Sequence, residues 1–136
     1  TGNRFDVRLN GDNLRLELQG GGANTNTVVA NGEWNHIAIV VPSATSTLGD
    51  VQYYFNGSLV GNFSGSTAIA TGTGPLRIGD SYQDIDRDFK GGIDDVRLYD
   101  SVLSATDVQA LYAIPEPSVF GFLACFGILL LIRRRR

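Results

Sequence analysis

Apolar and polar residues alternate with a period of two along much of the first 112 positions. Phe5, Val7 and Leu9 alternate with Asp6 and Arg8. After the polar stretch Asn10-Gly11-Asp12-Asn13, Leu14, Leu16 and Leu18 alternate with Arg15 and Glu17. Successive side chains of a strand point to opposite faces, so this spacing predicts a hairpin with one apolar and one wet face. Residues 20–22 are glycines and 24–27 are polar, which predicts a loop. Residues 34–41 are mostly apolar and end at Pro42, the length of a central strand. Residues 43–49 read as a flexible polar loop. Two further runs, 51–55 and 58–63, flank Asn56-Gly57, a pair that accepts the positive φ angles of a two-residue hairpin turn. Another polar loop, 64–74, leads to Leu76-Arg77-Ile78, and Ile93, Val96, Leu98 and Tyr99 mark a last strand.

One helix is predicted in this part of the chain. Ser104 suits an N-cap, Asp107 follows three residues later, and Val108, Leu111 and Tyr112 give an apolar side. Many short strands joined by glycine-rich turns predict an all-β fold, an antiparallel jelly-roll sandwich with one short helix near residues 104–112.

The pattern changes at the C-terminus. Residues 119–132 carry no charge and are followed by Arg133, Arg134, Arg135 and Arg136. The run is shorter than the ~20 residues that usually cross a bilayer, and a buried core helix is the plainer reading. Against it, the run has no polar side for solvent and adjoins four arginines that a core could not accept. Counting from Ile114 lengthens the segment, and arginines reach along their own stems to the interface. A C-terminal transmembrane helix with its basic end in the cytoplasm follows. The predicted organisation is a domain at 1–112, a linker at 113–118, and a helix with its arginine cluster at 119–136.

Size and charge narrow the function. With 136 residues the chain holds one domain. It has no methionine, so Thr1 reads as the start of a fragment, with any export signal upstream. The formal net charge is −3; without the four terminal arginines, 7 basic residues face 14 acidic ones, a net of −7. An acidic body argues against nucleic acid. The single cysteine, Cys125, lies in the apolar run, so the body has neither disulfide nor thiol chemistry.

Two resemblances follow from these residues. Pro115-Glu116-Pro117-Ser118, then an apolar helix, then Arg133 to Arg136, closely resembles the PEP-CTERM sorting signal of exported proteins in Gram-negative bacteria. The two prolines hold Glu116 in extended chain, the conformation a protease takes. The resemblance implies an exosortase as partner, cleavage near Pro115-Glu116-Pro117, passage through an inner-membrane precursor to the cell surface, and a link to extracellular polysaccharide and biofilm. In the body, Gly32-Glu33-Trp34-Asn35-His36-Ile37-Ala38-Ile39-Val40-Val41, Tyr54-Phe55-Asn56-Gly57-Ser58-Leu59-Val60-Gly61, Leu76-Arg77-Ile78-Gly79 and Phe89-Lys90-Gly91-Gly92-Ile93-Asp94-Asp95-Val96-Arg97-Leu98-Tyr99 occur in the order of the laminin-G-like, concanavalin A-like jelly rolls. Leu103-Ser104 and Leu111-Tyr112 complete that ending. The resemblance implies that the family's opening strands are not among these residues. In this reading Trp34 fills the space between two sheets, and Leu103, Val108 and Leu111 plug one end of the sandwich.

Candidate chemistry is sparse. His36 is the only histidine, and no serine or cysteine stands at a telling spacing, so it reads as packed and hydrogen-bonded. Related jelly rolls include glycosidases with two glutamates on one strand. Here Glu17, Glu33 and Glu116 stand apart, and adjacent Asp94 and Asp95 point to opposite faces of a strand. Asp80, Asp84, Asp86 and Asp88 have the alternating acidic spacing of calcium loops. Phe89 stands where an EF-hand has glycine, and a solvated acidic loop neutralised by Arg87 and Lys90 is the alternative. Sugar binding needs exposed aromatics, with Tyr53, Tyr54 and Tyr82 as candidates; alternation places one of Tyr53 and Tyr54 outside. The two Asn-x-Ser sequons, at Asn56 and Asn62, read as coincidence in a bacterial protein. The leading expectation is a non-catalytic, exported surface module that binds extracellular polysaccharide or a surface protein. The alternatives are a polysaccharide-processing enzyme with its catalytic residues upstream, and a purely structural adhesion module.

Overall fold

The computed structural model describes residues 5–29, 32–69, 76–80 and 88–114. The predicted hairpin forms in register: β1 (Phe5–Asn10) pairs antiparallel with β2 (Asn13–Leu18), from Phe5↔Leu18 to Asn10↔Asn13. Gly11 takes a φ of +59° in the connecting turn. Leu14, Leu16 and Leu18 are all buried on one face. On the other face the direct pairs carry like charges, Asp6↔Glu17 and Arg8↔Arg15. The side chains resolve this diagonally: Arg8 and Arg15 both donate to Glu17, so one carboxylate separates two guanidiniums.

Residues 20–22 and 24–27, read from the sequence as loop, fall instead almost wholly in a third strand, β3 (Gly21–Val28), on the other side of β2 from β1. Alternation is hidden there by small residues. Ala23 and Thr25 are buried while Asn24 and Asn26 are exposed. Glycine is needed at position 22, where a Cβ would lie 2.8 Å from the Leu16 carbonyl oxygen. The Thr25 hydroxyl accepts from the Thr27 N–H, which satisfies it inside the strand.

The second sheet has the order β4-β5-β6, all antiparallel. β4 (Ile37–Val40) and β5 (Gln52–Phe55) carry alternate residues to two faces. Ile37, Ile39, Val51 and Tyr53 pack with Leu14, Leu16 and Phe63 between the sheets. Ala38, Val40 and Tyr54 pack on the far side against Leu103 and Val108. The second sheet is therefore covered on both faces, by the first sheet and by the C-terminal helix. β6 (Ser58–Asn62) is bulged opposite Tyr53 and Tyr54.

The segment at 43–49, expected to be flexible, and residues 64–69 of the expected polar loop 64–74 are stitched together. Leu48 N–H donates to the Thr67 carbonyl, Gly49 N–H to that of Gly65, and Ile69 N–H to that of Ser46. Buried Leu48 anchors this pair of loops, and the buried Ser46 hydroxyl accepts from the Ser43 N–H. The helix appears where its cap predicts it: α1 is Ala105–Tyr112. Ser104 Oγ accepts from the Asp107 N–H, and Asp107 accepts from the Ser104 N–H at 2.8 Å.

Both sheets run in chain order, with no crossover among the described strands; what these residues form is a β-sandwich with a helix on its outer face. The expected strands at 76–78 and 93–99 are absent among the described residues. Their apolar side chains, including Leu76, Ile78, Ile93, Val96 and Leu98, stand exposed. A strand needs a ladder to join, and no described strand edge pairs with them. Among the described residues no helix is long and apolar enough to cross a membrane; residues 115–136 lie outside them.

Candidate functional site

The turn between β5 and β6 organises one rim of the sandwich. Asn56 (φ +50°) and Gly57 (φ +76°) both take positive φ, as the two-residue turn demands. Asn56 is held on three sides. Its Oδ1 accepts from the His36 N–H at 2.9 Å, its Nδ2 donates to Asn35 Oδ1, and its N–H donates to the His36 carbonyl. Asn35 Nδ2 also donates to the Val29 carbonyl. These bonds fix the chain entering β4, and with it the side chain just before them, Trp34.

Trp34 is 73% exposed, in contrast to the inter-sheet position expected of it. Its indole stands on Gly92, where an added Cβ would come within 2.6 Å of the ring. Strand β4 begins only at Ile37, so Trp34 lies outside the sandwich, and the inter-sheet space is filled by Leu16, Tyr53 and Phe63 instead. The segment beneath it is drawn in by the Phe89 N–H, which donates to the Gly79 carbonyl at 3.0 Å. Next to Gly92, the Ile93 side chain reaches over Gly79. An exposed indole on a glycine platform thus shares a rim with Phe89, Asp80 and Asp88.

His36 lies on the inner side of this rim. Its ring meets the Tyr112 ring of α1 at 5.9 Å and 47°. Its Nδ1 is shielded from water with no hydrogen-bond partner among the described residues, so the ring is packed, as expected, but not hydrogen-bonded there. Burial pushes its pKa below the ordinary value, Asp95 pulls it up and Arg97 pushes it down. The imidazole is therefore neutral at pH 7. Asp95 has a φ of +50°, donates its N–H to Asp94 Oδ1, and accepts from Arg97 Nε at 2.8 Å. Asp94 and Asp95 serve this local bonding.

Several expected site residues move. Tyr54 is 2% exposed and Tyr53 8%, so neither is available to a surface ligand. Alternation does send them to opposite faces, but α1 covers the face that was expected to be wet. The Tyr54 hydroxyl donates to Gln52 Oε1. Asp80 and Asp88 are exposed, and Asp80 Oδ2 is 2.6 Å from Arg77 Nη1. No group of three metal-ligating side chains occurs among the described residues. Asp84, Asp86, Tyr82, Pro115 to Ser118 and Arg133 to Arg136 lie outside the described residues. What sequence reasoning missed is the exposure of Trp34; the signal was its place between Gly32 and the first β4 residue. An open cleft of about 380 Å³ lies beside α1 between Tyr99, Leu103, Leu111 and Ile114.

Comparison with known proteins gives two matches. The family model described as the concanavalin A-like lectin/glucanases superfamily matches residues 1–109. The crystal structure of an S-layer domain-containing protein (residues 221–444) from Clostridium thermocellum is similar at a TM-score of 0.51 and 22% identity, over 74% of this chain and 52% of that one. At that identity the likeness is one of fold. The chain spans about half the length of that structure. No curated protein matches the chain.

Proposed function

The chain belongs to the concanavalin A-like lectin/glucanases superfamily, and from that premise we propose that it is a non-catalytic surface-binding module for extracellular polysaccharide. The observation that carries this reading is Trp34. A large aromatic left 73% exposed, held by an asparagine-pinned turn and seated on glycine, has the form of a binding platform rather than of a core residue. Its flat face suits the apolar face of a sugar ring, and exposed Asp88 and Asp94, within a few residues of Gly92 in the chain, are candidates to accept from hydroxyls. An S-layer domain-containing protein as structural neighbour supports a cell-surface setting.

The C-terminal residues complete the proposal. Pro115, Glu116 and Pro117 with Arg133 to Arg136 form a sorting signal read by an exosortase of a Gram-negative cell, and residues 113–118 link it to the domain. Replacing Glu116 or the four arginines then traps the precursor at the inner membrane; unchanged processing on a blot removes this part. A calcium ion on Asp80, Asp84, Asp86 and Asp88 is the metal arm. A rise in melting temperature with millimolar calcium over chelator supports it, and no shift removes it.

The binding test uses the protein's own probe. Trp34 is the only tryptophan, so titration with bacterial polysaccharide fractions should shift its fluorescence. Trp34→Ala should abolish binding on a glycan array and leave the melting temperature nearly unchanged, because so exposed a ring contributes little to the core. Full binding by Trp34→Ala would sink the site.

A further inference from the structure

The sequence holds three Asn-Gly pairs, at 10–11, 31–32 and 56–57. Such a pair can react with itself. The glycine main-chain nitrogen attacks the side-chain amide carbon of the asparagine, because no Cβ stands in the way. An N–Cγ bond forms, the Cγ–Nδ2 bond breaks, and ammonia leaves with the proton of the glycine nitrogen. Water then opens the cyclic imide at either carbonyl and leaves aspartate or isoaspartate. Solvent water is the only co-reactant. A fold controls whether the amide can turn, whether the glycine nitrogen can be approached, and whether water can follow.

The two pairs at 10–11 and 56–57 stand in opposite surroundings; Asn31 lies outside the described residues. The Asn56 amide is held at both ends. Its Oδ1 accepts from the His36 N–H at 2.9 Å, and its Nδ2 donates to Asn35 Oδ1 at 3.2 Å. Swinging Cγ toward the Gly57 nitrogen breaks both bonds. Gly57 is buried, and the Tyr112 ring comes within 2.8 Å of where its Cβ would be, which leaves no room for water. At the tip of the first hairpin, Asn10 and Gly11 are both exposed. A Cβ added at Gly11 would meet nothing within 4 Å. The Asn10 side chain makes no hydrogen bond among the described residues. Gly11 has a φ of +59° and Asp12 has no positive φ, the form of a type II′ turn. The bond of that turn runs from the Asn13 N–H to the Asn10 carbonyl and leaves the Gly11 N–H unused. We propose that Asn10 is a site of spontaneous deamidation in the folded protein, and that the clamp of Asn35 and His36 on Asn56 shields the second pair. The two bonds and the Tyr112 wall should make Asn56 at least about tenfold slower than Asn10. The product at position 10 sets a carboxylate beside Asp12, and isoaspartate also lengthens the main chain where Asn10↔Asn13 closes the hairpin. The first turn thus records the age of the chain, while the turn that positions Trp34 is kept intact.

The test is incubation of the full 136-residue chain in mildly alkaline heavy-oxygen water, with a non-ionic detergent that keeps the apolar C-terminal run dispersed. Peptides are then mapped by mass spectrometry with fragmentation that separates aspartate from isoaspartate. Heavy oxygen should enter at position 10, in both products, while Asn56 remains an amide. In urea, where the clamp is gone, the two positions should convert at comparable rates. Asn35→Ala removes one bond from the Asn56 amide, and Tyr112→Ala opens the space over Gly57. Each should speed conversion at Asn56 several-fold and leave Asn10 unchanged, in chains shown to be folded by circular dichroism. An Asn10 that stays an amide in the folded chain overturns the proposal, as does an Asn56 that converts as fast as Asn10. A difference equally large in urea overturns it too, because sequence and not fold would then set the order. If neither Asn35→Ala nor Tyr112→Ala speeds Asn56, the shield is refuted.

Discussion

Gly57 meets two demands at once. Its φ of +76° suits glycine, and a Cβ there would come within 2.8 Å of the Tyr112 ring. The hairpin tip and the end of α1 are therefore fitted to one another. Gly57→Ala should lower stability by about 2 kcal/mol in urea titration, from the backbone and the overlap together. In Gly57→Ala/Tyr112→Ala the overlap part should disappear, leaving a negative coupling energy in a double-mutant cycle. His36, against the same tyrosine, gives a second prediction. Its folded pKa lies below the ordinary 6.5, chiefly through burial. Between the folded pKa and 6.5 the unfolded chain holds more protons, so acidification favours unfolding. Stability should be level above about pH 6.5 and fall below it, and His36→Gln should remove that step. The loss expected from the carboxyls of Asp50 and Asp107 comes far lower. Hydrogen bonds from Thr47 and Ser104 hold both below 3.8, and stability is lost as pH falls through those values.

Among the elements, α1 has the largest effect on which surfaces are wet. Val108 is fully buried against Val40 and Tyr54, which converts the outer face of β4-β5 into a second, small core. The helix has eight residues, too few to persist alone, so its cap and its docking support each other. Ser104→Ala removes the acceptor for the Asp107 N–H and should cost about 1 kcal/mol. It should also make Tyr54 more accessible, read as faster iodination or stronger quenching of tyrosine emission. β3 teaches the complementary lesson: a strand can be made of Gly, Ala, Asn and Thr when its neighbour supplies the large side chains. Leu16 and Leu18 fill the space that Ala23 and Gly21 leave. Loop-like composition misleads there because β-propensity reports packing more than backbone preference.

At the scale of the molecule, stability is concentrated in the layer between the sheets. Leu16→Ala should lower stability by about 3 kcal/mol, and Trp34→Ala by less than about 0.5 kcal/mol, both read from urea midpoints; comparable losses would mean that Trp34 is a core residue. Much was legible beforehand. The alternation of Leu14, Leu16 and Leu18, the Asn56-Gly57 turn and the Ser104 cap are local signals, and each acts through bonds within a few residues. They determined the first hairpin, the β5–β6 turn and the helix start, and with the family blocks they determined the sandwich. Which faces are wet was not local. Tyr54 is buried because a helix far along the chain lies on it, and Trp34 is exposed because β4 starts past it. Ile93, Val96, Leu98 and Tyr99 read as a strand in the sequence but find no ladder among the described residues. The sequence by itself set the period and the turns, because those depend on neighbours along the chain. Only the tertiary structure decided burial, and with it the site, because burial depends on what distant segments bring to each face.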